Sequence, residues 1–462
     1  MDSHALLCII KRYYIFDRGI QVSGKQRSRL STTLILILMS SFTISCSPQQ
    51  LNTHTEEANS SKLRITFWSP FSGGDGQFMA ELIQQYNNEN KDHVKIEQIN
   101  NNSGDYYPKL STAIVTEEAP DIAIVHSAKY SQYAPAGFLT DLNDLALEAG
   151  VDWNDFNPTI LKSTVDEDKH LGIPLDTHLE VMYYNKTWLK QAGLLDDKEK
   201  PILSNGEEGF IQFLEKIRAC VPEHVSPLAE PNVRIDSFWL WYSFYNQMNL
   251  DGGRFYTDDG KAAAIDNPSA LQSLKFVNSL YTSKLIHPNI NDTVQNFAKG
   301  NAAILITGVW ATGTFEKAAD LNFGVTKIPQ IYDHPAVWGD SHTFSLPYHE
   351  KPDKQKQIAA IKFANWVAAH GASWAKAGHI PAVKKAVESK EFQQLKYRPD
   401  YASSADDVKY FPNQPRQGTI NDELVREFEK MMVGQTTPQE VLHNAQKIIN
   451  TNLQIQQNTA PQ

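Results

Sequence analysis

From Leu63 to Trp68 the chain reads Leu-Arg-Ile-Thr-Phe-Trp, alternating apolar and polar side chains with the period of a half-buried strand. A turn-rich stretch follows, Ser69-Pro70-Phe71-Ser72-Gly73-Gly74-Asp75-Gly76. Phe78, Met79, Leu82, Ile83 and Tyr86 then recur at helical spacing as far as Asn88. Residues 94–99 alternate again, 106–115 read as a helix and 121–125 as a short buried strand. Strand and helix in this order predict an α/β fold with a mainly parallel sheet.

The character changes near Gly172. Val181-Met182-Tyr183-Tyr184 reads as a strand, and helical segments at 209–220, 238–248 and 268–281 dominate the middle of the chain. Asn267-Pro268 starts the last of these, with a capping residue before a first-turn proline; Leu271, Leu274, Val277 and Tyr281 give it an apolar face. Residues 303–306 are strand-like, 323–326 and 344–347 are short strands around a loop, and 357–369 are helical. Leu424, Val425, Phe428, Met431 and Met432 mark a late helix. Thr437-Pro438-Gln439-Glu440 is a capping box opening another, with Val441, Leu442, Ala445, Ile448 and Ile449 inward. No internal repeat is present.

The N-terminal pattern is different in kind. Lys25, Arg27 and Arg29 precede an apolar run at 34–44. About a dozen apolar residues fall short of the roughly 20 that a membrane-crossing helix needs, so the run reads as a signal peptide. It ends in Thr43-Ile44-Ser45-Cys46, which resembles a lipobox with Thr43 where Leu is usual. The expectation is a signal peptide over 1–45, lipidation of Cys46 and a polar, flexible tether over 46–61.

At 462 residues the chain is long enough for two domains plus extras. Its net charge is −10; setting aside 1–45 leaves 37 basic and 51 acidic residues, a net charge of −14. Such a surface repels nucleic acid, so none is expected as a partner. The three cysteines, Cys8, Cys46 and Cys220, form no CxxC pair and no Cys/His cluster, so spacing along the chain gives no metal site. Cys220 continues the periodic run Phe210, Phe213, Leu214, Ile217 and reads as a buried small hydrophobe. No phosphate-cradling GxxxxGK[ST], no GxSxG and no HExxH occurs; no enzyme activity and no cofactor are implied.

Four segments resemble the extracellular solute-binding proteins of family 1, the maltose- and multiple-sugar-binding group of ABC-transporter lipoproteins. They are the strand-loop-helix opening at 65–86; Ala119-Pro120-Asp121-Ile122-Ala123-Ile124-Val125-His126-Ser127 with 133–142; Gly172-Ile173-Pro174-Leu175-Asp176-Thr177-His178 running into 182–186; and 297–304 followed by Gly308-Val309-Trp310. Their order covers roughly residues 62–450. The resemblance implies a type II periplasmic-binding-protein-like fold, two α/β lobes joined by crossing strands, with lobe 1 at 62–174 plus 328–370 and lobe 2 at 175–327 plus 371–455. It also implies a monomer that captures a sugar or oligosaccharide by hinge closure and hands it to ABC permease subunits in the membrane.

A sugar offers a C–H face to aromatic platforms and an edge of hydroxyls to groups that donate and accept. Candidate platforms are Trp68 at a strand end, Trp310 after Gly308, Trp338 in what reads as a polar loop, and one of Trp239 and Trp241, two apart on a helix. Trp153, Trp188 and Trp366 read as core. Candidate polar contacts, in the loops where the resemblance implies them, are Ser69, Asp75, His126, Ser127, Asp176, His178, Asp340 and His342, with Arg416 as a late addition; the carboxylates Asp176 and Asp340 stand foremost because each can accept two hydroxyls. Rival cargoes on the same fold are a polyol, a glycerol-phosphate-type ligand, for which Arg416, Arg234 and Arg254 are the basic candidates, and a metal held by Tyr106-Tyr107 or Tyr183-Tyr184. An exported glycosidase would instead need paired carboxylates.

Overall fold

The computed structural model describes residues 63–459, apart from 72, 73, 102, 232–234 and 291. The expected signal peptide, lipidated Cys46, tether and Arg234 therefore lie outside the described residues. In chain order the first strands are β1 (Arg64–Ser69), β2 (Lys95–Asn100), β3 (Ile122–His126), the hairpin β4 (Val165–Asp166) and β5 (Lys169–His170), β6 (Ile173–Pro174) and β7 (Asp176–Asn185). Then come β8 (Ser226–Ala229), β9 (Ala302–Gly308), β10 (Phe323–Thr326), β11 (Val337–Asp340), β12 (His342–Ser345), β13 (Ile380–Pro381) and β14 (Val408–Lys409).

Two mixed sheets result. The first has the order β2-β1-β3-β12-β6, and the second β14-β11-β7-β9-β8, with β10 and β13 also on β7. Pairing is parallel in β2-β1-β3, as the opening strand-helix alternation requires. It turns antiparallel where the chain crosses between sheets, since one segment enters a lobe as another leaves it. Direct strand-to-strand crossings fall at Leu175, between β6 and β7, and at Ser341, between β11 and β12, and the chain returns to the second sheet once more between helix Lys354–Ala369 and β13. Residues 337–340 thus stay with the second sheet, held by Gly339 and Asp340 opposite Leu179 and His178, and the return to the first comes later than the expected boundary at 328.

β7 carries the fold across the molecule. All ten of its residues are buried, because it has strand partners along both edges and packed layers on both faces. Leu179, Val181 and Tyr183 enter one core, Met182 and Tyr184 the other, as the two-residue period of a strand dictates. The first core joins Ile65, Phe67, Ile122 and Ile124 to Phe363 and Val367 of helix Lys354–Ala369. The second is mainly helical, packing Phe210, Phe213, Trp241, Leu274, Phe428 and Leu442 around β9.

Local signals place the helices. Asn267 accepts from the Ala270 amide at the head of helix Pro268–Thr282, and Pro268 occupies the first turn. The Thr437 amide donates to Glu440 (2.9 Å) and the Glu440 amide to Thr437 Oγ1 (3.3 Å), the reciprocal capping box that opens helix Pro438–Thr459. Two expectations are corrected. Cys220 is only half-buried, because it ends helix Glu207–Cys220, beyond the last turn that faces the core. Residues 338–342 are no loop: two strands meet there with Ser341 alone between them.

Candidate functional site

The two crossing segments meet and are stapled. Thr177 Oγ1 donates to the Asp340 carbonyl (3.1 Å). The Asp340 carboxylate accepts at one oxygen from Ser127 Oγ (2.6 Å), the Ala128 amide (3.1 Å) and the Ser341 amide (2.8 Å). Tyr410 closes the junction, its hydroxyl 2.8 Å from Ser341 Oγ and 3.2 Å from Thr177 Oγ1. The staple therefore ties the loop after β3, in the first sheet, to strands of the second.

Beside it four imidazoles converge. Register sets His126 of β3 directly opposite His342 of β12, and His178 of β7 opposite Asp340. His379 arrives just before β13, which pairs with the start of β7. Ring centroids lie 4.3 Å apart for His178 and His342, 4.6 Å for His126 and His342, and 5.1 Å for His342 and His379. Asp176, fully buried, is the hub. It accepts from Trp374 Nε1 (2.6 Å) and the His342 amide (3.2 Å), and faces Nδ1 of His342 (2.9 Å) and of His178 (3.3 Å). The Tyr107 hydroxyl holds His126 Nδ1. His379 is 1% exposed and stacks on Trp374, yet neither ring nitrogen makes a hydrogen bond among the described residues; Nε2 stands 3.5 Å from an Asp75 oxygen, an ion-pair distance without hydrogen-bond alignment.

The charges divide by environment. Burial opposes ionisation of Asp176, but His342 and His379 outweigh it and hold the carboxyl well below the usual range. Burial, reinforced by His342 and His178, pushes His126 well below the ordinary imidazole value. Burial and His342 likewise lower His178 against the pull of Asp176. For His379 burial again disfavours the cation, but Asp176 and Asp75 prevail and raise it. The cluster thus combines a fixed anion with two rings held neutral and a third drawn towards its cation.

An aromatic wall adjoins His178. The Trp310 ring lies edge-on to His178 (5.9 Å), Trp239 (6.0 Å) and Trp338 (6.5 Å), and Trp239 stacks flat on Trp338 (3.8 Å, 7°). Gly308 makes this possible: a Cβ there would sit 2.0 Å from the Trp310 ring. Gly308→Ala is therefore expected to displace the indole, costing about 1–3 kcal/mol, and near-UV circular dichroism with thermal melting checks it. An unchanged tryptophan signal would show that the ring does not rest on Gly308.

Of the sequence-predicted residues, Asp75, His126, Asp176, His178, His342, Gly308, Trp239, Trp310 and Trp338 gather in or against the imidazole cluster, and Ser127 and Asp340 in the adjoining staple. Others do not join them. Trp241 is fully buried in the second core, on the opposite side of its helix from Trp239. Trp68 packs into a satellite cluster with Tyr106, and Ser69 donates to Asn100 (2.5 Å). Arg416 donates to Asn452 (2.8 Å), and Arg254 pairs with Asp251 and Asp258. Trp338, although it joins the wall by stacking on Trp239, is buried in a strand and not presented by a polar loop. The tyrosine pairs do not converge on a metal: Tyr183 reaches Thr312 and Tyr184 reaches the Glu199 carbonyl, on opposite faces of β7. Sequence reasoning passes over Trp374 and His379, lone polar-tipped rings whose neighbours along the chain carry no signal, and offers Tyr107 only as a rival metal ligand rather than as the partner of His126.

On the other side of the staple a groove of about 550 Å³ opens between the lobes. Ser127 and Ser163 line it from one lobe, Tyr242, Asn246, Tyr410 and Phe411 from the other. Tyr410 and Phe411 are half-exposed. Trp68, Trp310 and Trp338 stand outside this groove, so its aromatic surface is tyrosine and phenylalanine.

Comparison with known proteins supplies a frame for this geometry. The family described as bacterial extracellular solute-binding protein matches residues 72–374. The sn-glycerol-3-phosphate-binding periplasmic protein UgpB of Shigella dysenteriae is 24% identical over 412 residues, covering 82% of this chain and 90% of that protein; UgpB of Escherichia coli K12 matches to the same extent. Among solved structures, the ABC substrate-binding protein Lmo0181 of Listeria monocytogenes in complex with cycloalternan superposes with a TM-score of 0.72 at 22% identity, over 85% of this chain and 99% of that one. UgpB of Mycobacterium tuberculosis with glycerophosphocholine gives 0.74 at 19%, with coverage of 85% and 99%. These structures share the type II binding-protein fold with this chain.

Proposed function

We propose, from the premise that this chain belongs to the bacterial extracellular solute-binding protein family, that it is the exported binding component of an ABC importer and that its cargo is a carbohydrate. The observation that carries the reading is the groove beside the staple, which has hydroxyl groups from both lobes, the Asn246 and Asn413 amides from one, and two half-exposed aromatic rings, Tyr410 and Phe411. Its volume lies in the range that encloses a small ligand. Solved relatives of the same fold hold cycloalternan and acarbose.

Capture proceeds by closure. The lobes pivot on the crossings at Leu175 and Ser341, and cargo favours the closed state only through contacts made to both lobes at once. The closed form docks on permease subunits, while the chain itself, a monomer anchored by lipid on Cys46, performs no chemistry. A second reading, a phosphodiester or glycerol-phosphate-type cargo, is favoured by Lys162 and Lys409 on the groove wall and by the identity of the UgpB relatives.

A thermal-shift screen separates the two. Cargo at a hundred times its Kd stabilises the folded state by about 2.7 kcal/mol, so a mono- or oligosaccharide is expected to raise the melting temperature. A shift with glycerophosphodiesters and none with any saccharide would transfer the cargo to the second reading.

A further inference from the structure

We propose that Asp176, His178, His342 and His379 form a binding site for one divalent transition-metal ion such as zinc, clamping the strands that cross between the lobes. Each offers a ligand atom, all four atoms lie within 4.8 Å of one another, and all four residues are buried.

The distances already approach a coordination shell. Zinc bonds to nitrogen and carboxylate oxygen at about 2.0–2.1 Å, which sets the edges of its tetrahedron at about 3.3 Å. One Asp176 oxygen stands 2.9 Å from Nδ1 of His342 and the other 3.3 Å from Nδ1 of His178, so the carboxylate already bridges the two rings. An ion drawn in between them needs only a modest closing of the four ligand atoms, now within 4.8 Å of one another. His379 supplies the fourth corner. Its ring is buried, and among the described residues its nitrogens make no aligned hydrogen bond, Nε2 having only the Asp75 carboxylate at 3.5 Å, so a nitrogen remains available to an ion.

The surroundings match what a metal requires. Trp374 Nε1 fixes the Asp176 carboxylate from outside, as partners of metal-bound carboxylates do. Trp310 and Phe71 close around the rings as an apolar shell; Phe71 packs edge-on to His342 at 5.0 Å. Three imidazoles and one carboxylate suit zinc, copper, nickel or cobalt over calcium or magnesium, which prefer an all-oxygen shell. Because His342 belongs to the first sheet and Asp176 and His178 to the second, the ion would pin the junction rather than sit in the cargo groove.

The test uses the full chain without a histidine tag, stripped with chelator and then titrated with zinc alone. About one equivalent is expected to bind, and cobalt in its place is expected to give the intense visible bands of a four-coordinate ion. His379→Leu, which removes a ring whose polar contact is the 3.5 Å approach to Asp75, is expected to weaken zinc binding about a hundredfold or more, while His443→Ala at the surface leaves it unchanged. Absence of stoichiometric uptake, absence of the cobalt bands in the wild type, or equal zinc affinity in His379→Leu would each overturn the site. If His379→Leu does not fold, the cobalt spectrum of the wild type decides alone. No saccharide is involved, so the outcome stands apart from the cargo assignment.

Discussion

Asp340→Ala is expected to destabilise the protein by about 3–5 kcal/mol, because truncation strands three donors, two of them buried, and each unsatisfied buried donor costs about 1–3 kcal/mol, less whatever water can enter the gap. One oxygen of this carboxylate serves Ser127 Oγ and the Ala128 and Ser341 amides, and Asp340 is only 8% exposed. Asp340→Asn keeps an acceptor oxygen in place and loses only the charge-assisted part, so it is expected to cost about 1 kcal/mol. Denaturant titration of both variants measures this. The family resemblance suggests Asp340 as a cargo contact. Undiminished stability in Asp340→Ala together with lost saccharide binding would restore that role and remove the staple.

The same residue shows how far sequence reasoning reaches. Signals acting over three or four residues are legible: the Thr437/Glu440 capping box and the Asn267 cap both form as their spacing predicts, since each partner lies within one helical turn. The alternation of Ile65 and Phe67 against Arg64 and Thr66 likewise matches β1. Trp338-Gly339-Asp340-Ser341-His342 reads as a loop because its polar composition normally signals solvent. Here the polar groups are satisfied internally, Asp340 by Ser127 and His342 by Asp176. The lobes themselves come from family resemblance and not from periodicity.

The imidazole cluster lies beyond any local signal. His126, His178, His342 and His379 are scattered along the chain, and only strand order joins them: β12 lands beside β3, and β11 and β13 land on β7. The sequence offers three of the four only as separate polar contacts in loops. None is recognisable as part of a common set until the antiparallel register of the crossing strands is known. His379 carries no cue at all.

Trp241 and Phe411 offer the sharpest contrast between core and groove. Trp241 is fully buried among Phe238, Tyr245 and Phe428, with ring centroids at 5.7, 5.0 and 4.9 Å. Trp241→Ala is expected to cost about 3–5 kcal/mol through lost burial and an uncollapsed cavity, with cargo affinity of the protein that remains folded unchanged. Phe411 lies at the groove with one face on Phe238 (5.5 Å, 18°) and is half-exposed. Phe411→Ala is expected to lose less stability, because less of its ring leaves water on folding, but to weaken saccharide binding about tenfold, equivalent to about 1.4 kcal/mol. Calorimetric titration at a temperature where both variants are folded compares them directly. Undiminished saccharide binding in Phe411→Ala would move the cargo out of the groove.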